Sequence, residues 1–274
     1  MGSAGQRSQH SAAMIFKVSK AQAALRRQAY LTPSGAQTHV STYIGTNVME
    51  LAAQGKAQSH VADRTSTSPM AYLVEQSANS TVEPHFHQVD QFQIFVGGSG
   101  HIGTHSLDGV TVHYSGAHSP YGPIVAGPAG VQYVTLRRNW DPGAQWMPGA
   151  AAALRGMPGR KHVAYTSVPW VRSPAEQTSH IKSPLVTEMI PSQANGLAAW
   201  LVRAGPDAVL QGNPAESNGV FWYVLSGALQ PDDAAPDAMI GTGACIFFSQ
   251  EEQPFQFRAT EQGVELVQVR FALD

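Results

Sequence analysis

Two histidines, His85 and His87, lie one residue apart in the segment EPHFHQVDQFQIFVGG, residues 83–98. Alternate side chains of a β-strand point to the same face, so both imidazoles project to one side and Phe86 to the other. A transition metal needs such a pair of converging imidazoles from neighbouring ligands. Gln91 shares their parity, so its amide is a candidate weak ligand or a hydrogen-bond partner to bound water.

Further candidates lie in the segment GVTVHYSGAHSPYGPIV, residues 109–125. His113 lies within a strand-like run and His118 follows a Gly-Ala bend, and strand parity does not decide which of them faces inward. Tyr121 is a candidate catalytic hydroxyl, with simple packing as the alternative. For the paired histidines, the alternative is an ordinary hydrogen-bonded pair on a polar strand face.

The elements that must position these side chains are short strands. From about residue 68 onward, strand-like runs such as MAYLVEQ and VQYVTLRR are separated by clusters of Gly, Pro, Ser and Asn, a pattern typical of an all-β sandwich or barrel. Helical patterns are confined to SKAQAALRRQAYL and GAAAALRGM. The segment 139–162 is rich in Pro, Gly and Ala and indicates an interdomain connection.

The two halves of the chain form a weak internal repeat. FQIFVGGSG resembles FWYVLSGAL, and YVTLRRNWD resembles LVQVRFALD. When Gly98 is aligned with Gly227, the counterparts of His85, His87 and Gln91 are Pro214, Glu216 and Val220, respectively. Because these residues do not form an imidazole cluster, we expect no metal site in the second half.

His-x-His is followed by Gln91 after three residues and by Gly98 after six more. This spacing resembles the first motif of the cupin superfamily, which has glutamate where Gln91 stands. The second cupin motif, Pro-x-Gly-x-x-His, corresponds to residues 109–125, where the pattern is not intact. The resemblance implies an all-β fold of two jelly-roll (cupin) β-barrels with a few short helices, a bicupin.

The implied domain limits divide the chain into four parts. They are a leader with a short helix at 1–39, an N-terminal barrel with the metal site at 40–140, a linker at 141–162, and a C-terminal barrel without a metal motif at 163–274.

The resemblance also implies a metal-dependent enzyme that acts on a small organic substrate in the N-terminal barrel, first of all a dioxygenase-like oxidoreductase. His85 and His87 would bind the metal together with His113 or His118, and Gln91 and Tyr121 would assist catalysis. Fe(II) is the first expectation, with Zn, Ni or Mn as alternatives. Two other classes stay open: a cupin isomerase, lyase or cyclase, and a non-catalytic binding or structural bicupin with a degenerate site.

The composition of the chain limits the classes of molecule that it is expected to bind. The 274 residues are 13% charged, with a formal net charge of -2, so no strong field attracts nucleic acid or an anionic membrane. Cys245 is the single cysteine and lies in an apolar run, which predicts a buried, unreactive thiol. The N-terminal residues lack the apolar core of a signal peptide, and no stretch is long enough to span a bilayer. We therefore expect a cytoplasmic protein.

A homodimer is expected from the strand at 85–96. Apolar side chains lie on both of its faces, with Phe92 and Ile94 on one face and Val89 and Phe95 on the other. One face fills a barrel, and the other needs cover from a second subunit, a second sheet or the second barrel.

Overall fold

The computed structural model describes residues 14–53, 55, 68–157, 161–171, 178–231 and 239–273. Within them the chain forms two large antiparallel sheets, a two-stranded ribbon and three short α-helices. This confirms the predicted fold class, all-β with two jelly-roll barrels and a few short helices. Residues 1–13, the start of the predicted leader, lie outside the described residues.

The first sheet belongs mainly to the N-terminal half. Its strands are β2 (Arg27–Leu31), β3 (Gln37–Ile44), β4 (Met70–Gln76), β5 (Thr81–Val82), β7 (Gln91–Ile102), β8 (His105–Ser106), β9 (Thr111–Ser115), β10 (Ile124–Arg137) and β12 (Ala164–Thr166). Their order is β12-β9-β7-β10-β4-β3-β2, with β5 beside β10 and β8 beside β7. The ribbon pairs β6 (His85–Phe86) with β11 (Gln145–Trp146).

The second sheet belongs mainly to the C-terminal half. Its strands are β1 (Ile15–Val18), β13 (Leu185–Ile190), β14 (Ala198–Ala204), β15 (Val209–Gly212), β16 (Val220–Pro231), β17 (Ile240–Gly241), β18 (Cys245–Phe248) and β19 (Phe255–Arg270). Their order is β1-β18-β16-β19-β14-β13, with β15 beside β19 and β17 beside β16. The helices are α1 (Lys20–Ala24), α2 (Val48–Ala53) and α3 (Ala151–Arg155), and a 3-10 helix spans Pro214–Glu216. No helix among the described residues is long and apolar enough to cross a membrane.

Each half contributes an edge strand to the sheet of the other half. β1, from the start of the chain, pairs with β18 in the second sheet. β12 follows the predicted linker and pairs with β9 in the first sheet. The predicted domain limits stay a prediction, and these two exchanged strands show that the halves are joined by more than the connection between them.

The internal repeat is visible in two glycine pairs. Gly98 and Gly227 have φ values of +76° and +71°. A Cβ added to Gly98 would lie 2.1 Å from the carbonyl oxygen of Gly130, and one added to Gly227 would lie 2.0 Å from that of Gly263. Only glycine tolerates both the positive φ and this close approach. Gly98 lies inside the long strand β7, where the register with β10 shifts.

A shared apolar core joins the outer faces of the two sheets. Phe92, Ile94 and Leu136 of the first sheet belong to one buried cluster with Phe221 and Phe247 of the second. Each such fully buried side chain stabilises the fold by about 1.5–3 kcal/mol. The apolar face that suggested a homodimer is therefore covered within the chain, and the oligomeric state stays a prediction.

The interiors of the two barrels differ in composition. The second barrel is filled with apolar side chains, among them Trp222, Phe248 and Phe257. The run Phe221–Trp222–Tyr223 is buried, with Trp222 facing into the barrel and its two neighbours facing the shared core. Cys245 is buried as predicted, and burial raises the pKa of its thiol. The first barrel has polar groups where the second has aromatic rings.

Candidate active site in the N-terminal barrel

The short strand β6 places His85 and His87 inside the first barrel. His85 exchanges two backbone hydrogen bonds with Tyr121, 3.2 Å from its own N–H and 3.0 Å to its carbonyl oxygen. On the other side it pairs with Trp146 of β11. Both imidazoles are buried, and their ring centroids are 5.2 Å apart. The strand parity inferred from the sequence is thus what the structure shows.

His85 forms a hydrogen-bonded pair with Tyr121. Its Nδ1 lies 2.7 Å from the carbonyl oxygen of Glu83. Since a carbonyl only accepts, Nδ1 carries the hydrogen and Nε2 keeps its lone pair. The Tyr121 hydroxyl donates to that Nε2 at 2.7 Å. Burial, followed by the neighbouring His87, lowers the pKa of His85 to about 3, so the imidazole is neutral at neutral pH.

His87 is oriented by Asp141. Its Nδ1 donates to Asp141 Oδ1 at 2.7 Å, and the backbone N–H groups of Gln88 and Gly143 donate to the same carboxylate at 3.0 and 2.8 Å. Although burial acts to raise it, His87 and Arg137 hold the pKa of Asp141 below its ordinary value. Burial and Arg137 lower the pKa of His87. A neutral imidazole with its Nε2 lone pair turned inward is the result.

Arg137, at the end of β10, occupies the centre of the site. Its Nη2 donates to His87 Nε2 at 3.0 Å and to Gln91 Oε1 at 2.9 Å, and its Nε donates to the same oxygen at 3.2 Å. Nη1 lies 3.7 Å from Asp141 Oδ1. Burial opposes the charge, yet Tyr72 and Asp141 keep the pKa of Arg137 above its ordinary value. The site therefore contains a buried, permanently charged guanidinium.

Three amide and imidazole atoms beside this cluster lack partners. Gln93 and His113 are cross-strand neighbours, and Gln91 lies two residues before Gln93 on the same face. Within the described part of the chain, Gln91 Nε2, Gln93 Oε1 and His113 Nε2 are buried without a hydrogen-bond partner. His113 Nδ1 lies 2.9 Å from Thr166 Oγ1 of β12. Burial, with smaller effects of His105 and His162, lowers the pKa of His113 to about 3.

The two alternatives for a third ligand are placed differently. The His113 ring lies 5.2 Å from the Tyr121 ring, on the side of the site. His118 instead packs against Phe86, with ring centroids 5.9 Å apart, on the face of β6 opposite the paired histidines. Its backbone, in the left-handed region at φ +60°, donates a hydrogen bond to His87 O at 2.7 Å. The structure thus does not bring the His118 side chain together with His85 and His87.

A small cavity of about 130 Å³ opens onto these groups. Its polar lining residues are His85, His87, Gln93, Tyr121, Arg137 and Asp141, and Tyr72, Tyr133 and Trp146 form aromatic walls. A ligand in this cavity would therefore contact the imidazoles, the tyrosine hydroxyl and the guanidinium together.

Arg137, Asp141 and Tyr133 were missed in the sequence, although two signals point to them. The segment Pro128–Tyr133 has the spacing Pro-x-Gly-x-x-Tyr, the second cupin motif with tyrosine in place of histidine, and counting by twos from Tyr133 places Arg137 on the same face. Asp141 is the first residue of the predicted linker, which returns through β11 to pair with β6. The part of this linker at 158–160 lies outside the described residues.

The donor set does not fit a resident metal ion in this arrangement. Arg137 donates to the atoms of His87 and Gln91 that would bind the ion, and Tyr121 donates to Nε2 of His85. Among the described residues, no group of three or more His, Cys, Asp or Glu side chains is placed to hold a metal. A guanidinium at hydrogen-bond distance would also repel a dication.

Comparisons with known proteins support the fold. No protein-family model and no curated protein matches the chain. A structure named "putative dioxygenase", from Nostoc punctiforme, is similar with a TM-score of 0.59 and 12% identity over 94% of this chain and 83% of that one. Oxalate decarboxylase from Bacillus subtilis at pH 4.6 is similar with a TM-score of 0.53 and 13% identity over 97% and 78%. At these identities the likeness shows the cupin-type fold alone.

Proposed function

We propose that the chain is a bicupin enzyme whose N-terminal barrel catalyses proton transfer on a small carbonyl compound without a metal, as an isomerase or lyase does. The observation that carries this is the 2.7 Å hydrogen bond from the Tyr121 hydroxyl to His85 Nε2, in a cavity that also holds the buried cation Arg137. A proton acceptor beside a fixed positive charge is what enolate formation requires.

In the proposed step, the Tyr121 oxygen takes a proton from the carbon next to the substrate carbonyl while its own proton passes to His85 Nε2. The electron pair of the broken C–H bond becomes the C=C bond of an enolate, and the carbonyl oxygen takes the negative charge. Arg137 stabilises that charge, since its buried guanidinium stays positively charged beside the cavity. Return of the proton to a different carbon completes an isomerisation.

The electrostatics of the site agree with these roles. His85 is neutral at neutral pH, which is the form that accepts a proton. The imidazolium formed in the step is stabilised by the enolate charge that appears beside it. Arg137 and Asp141 already compensate each other before the substrate binds, so the substrate enters as a neutral or weakly acidic molecule.

The test is deuterium exchange from D₂O into the carbon positions next to the carbonyl of acetone, hydroxyacetone and dihydroxyacetone, followed by proton NMR. We expect the wild type to catalyse exchange in at least one of them, and Tyr121→Phe to slow it by about 100-fold or more. The matched control is Tyr165→Phe, since Tyr165 is partly exposed and outside the cavity. Absence of catalysed exchange in all three compounds, or its loss on addition of a chelator, contradicts the proposal.

The second candidate is a metal-dependent, dioxygenase-like enzyme. It is favoured by the fixed Nδ1–H groups of His85 and His87, which turn both Nε2 lone pairs inward as in metal-binding histidines. The fold is also shared with oxalate decarboxylase, whose Mn(II) centres are known. This function requires Arg137 to leave its place. A stoichiometric transition metal retained by the purified wild type, measured by mass spectrometry, would establish this candidate over the first.

A further inference from the structure

The second barrel has an open cleft of about 680 Å³ at its mouth, much larger than the cavity of the first barrel. It lies over β14, β16 and β19, the three central strands of the second sheet. Its walls include Trp200, Trp222 and Phe255, and Gln268 and Arg270 supply polar groups. Ligand pockets in proteins have this size, and polar and apolar groups line this cleft in about equal measure.

The floor of the cleft is a row of three side chains on neighbouring strands. In the register of the sheet, Trp200 lies opposite Gln268, and Gln268 lies opposite Trp222. Adjacent strands are about 4.8 Å apart, so the two tryptophan backbones are about 10 Å apart with the amide of Gln268 between them. Flat aromatic surfaces flanking one amide form a platform that suits a planar ring carrying a polar group.

Arg270 closes one end of this row. Its guanidinium lies 5.0 Å from the centre of the Trp200 ring. Nε donates to Gly196 O at 2.7 Å and Nη1 to Glu216 Oε2 at 3.1 Å, so neither contact uses Nη2. Glu216 is largely exposed, and a solvent-screened ion pair of this kind is weak. A carboxylate on a ligand can therefore compete with Glu216 for the guanidinium.

The position of Arg270 repeats that of Arg137. Each arginine follows the positive-φ glycine of its strand, Gly130 or Gly263, by seven residues, and each contacts the residue at the second histidine position of its half, His87 or Glu216. A buried indole completes the cleft: within the described residues, Nε1 of Trp222 has no hydrogen-bond partner. Buried donors are rarely left unpaired.

From these contacts we infer that the cleft of the C-terminal barrel binds a planar aromatic carboxylate. The ring lies against Trp200 and Phe255, the carboxylate pairs with Arg270, and Gln268 offers its amide at the centre. The site does not depend on the reaction in the N-terminal barrel, because its residues belong to the second sheet.

Calorimetric titration with 1-naphthoate tests this inference, with the uncharged 1-naphthalenemethanol as the comparison probe. Arg270 and Trp200 line the cleft of the second barrel, so weaker naphthoate binding in their variants assigns the binding to that barrel. We expect Arg270→Gln to weaken naphthoate binding by about 10-fold or more and to change binding of the alcohol by about twofold or less. Arg258→Gln, on an exposed arginine of the same strand outside the cleft, is the matched control.

A second variant keeps the test decisive if Arg270→Gln does not fold. Trp200→Leu keeps the apolar surface but removes the ring, and we expect both probes to bind about 10-fold more weakly, while Trp170→Phe, outside the cleft, leaves both unchanged. The inference is wrong if the wild type binds no naphthoate at millimolar concentration. It is also wrong if a folded Arg270→Gln weakens both probes equally, or if Trp200→Leu weakens neither.

Discussion

The two barrels share one backbone plan and differ in what fills it. In the first, the positions facing inward from β7 and β10 carry Gln91, Gln93 and Arg137, and in the second the corresponding positions of β16 and β19 carry Val220, Trp222 and Arg270. The first barrel compensates a buried charge inside a small cavity, whereas the second fills its interior with aromatic rings and leaves its arginine at an open cleft. The same position thus holds a fully buried arginine in one barrel and a partly exposed one in the other.

The equivalent arginines give the sharpest test of this contrast. Arg137→Met leaves the buried Asp141 without its cation, and we expect the free energy of unfolding to fall by about 3–5 kcal/mol. Arg270→Met breaks a pair whose partner Glu216 is 63% exposed, with an expected loss of about 0–1 kcal/mol. Urea denaturation of both variants measures the difference. Equal losses would mean that the two arginines have the same role.

At the next pair of corresponding positions, Trp222 and Gln93, we expect the larger loss of stability in the second barrel. Trp222→Ala removes a fully buried indole from the second barrel, and we expect a loss of about 3–5 kcal/mol in the free energy of unfolding. Gln93→Ala, at the corresponding position of the first barrel, removes an amide whose oxygen is buried without a partner, so a change of about 1 kcal/mol or less is expected. A larger loss for Gln93→Ala, by the same denaturation experiment, contradicts the division between a polar and an apolar interior.

The first barrel alone should make stability depend on pH in the mildly acidic range. Burial lowers the pKa of His85 and His113 to about 3, while an unfolded histidine titrates near 6.5. Below pH 6.5 the unfolded state binds more protons, so stability falls as pH drops from 6.5 toward 3. Each such histidine contributes about 2 kcal/mol of this loss at pH 5.

Substituting one of these histidines isolates its share. We expect His113→Gln to lose less stability than the wild type between pH 7 and pH 5, by about 2 kcal/mol, in denaturation curves recorded at both values. His101, which is exposed, provides the matched control His101→Gln, with no change in the pH dependence. The same pH dependence in wild type and His113→Gln would show that the pKa of His113 does not differ between the folded and unfolded states.

The smallest effect is expected at His118. Its side chain packs against Phe86 outside the cavity, so His118→Gln should change the free energy of unfolding by about 0.5 kcal/mol or less. It should also keep the wild-type rate of deuterium exchange. A loss of exchange comparable to that of Tyr121→Phe would move His118 into the site.

Much of the architecture follows from local sequence patterns. Alternation in the strands, together with the glycines at 98 and 227, predicts two related β-domains because a period of two and a required positive φ are properties of the backbone itself. The same alternation places His85 and His87 on one face. The helices are less well predicted, since a pattern of 13 residues near the start yields only Lys20–Ala24, with strands on either side.

The sequence by itself determined the fold class, the pairing of His85 with His87 and the loss of this pair in the second half. Only the tertiary structure decided what surrounds them. Tyr121 reaches the site from one segment, and Arg137 and Asp141 reach it from the end of β10. No local pattern encodes which distant segments meet. The exchange of β1 and β12 and the placement of a guanidinium where a metal was expected have the same origin. They depend on contacts between residues far apart in the chain, which are fixed only when the sheets close around their cores.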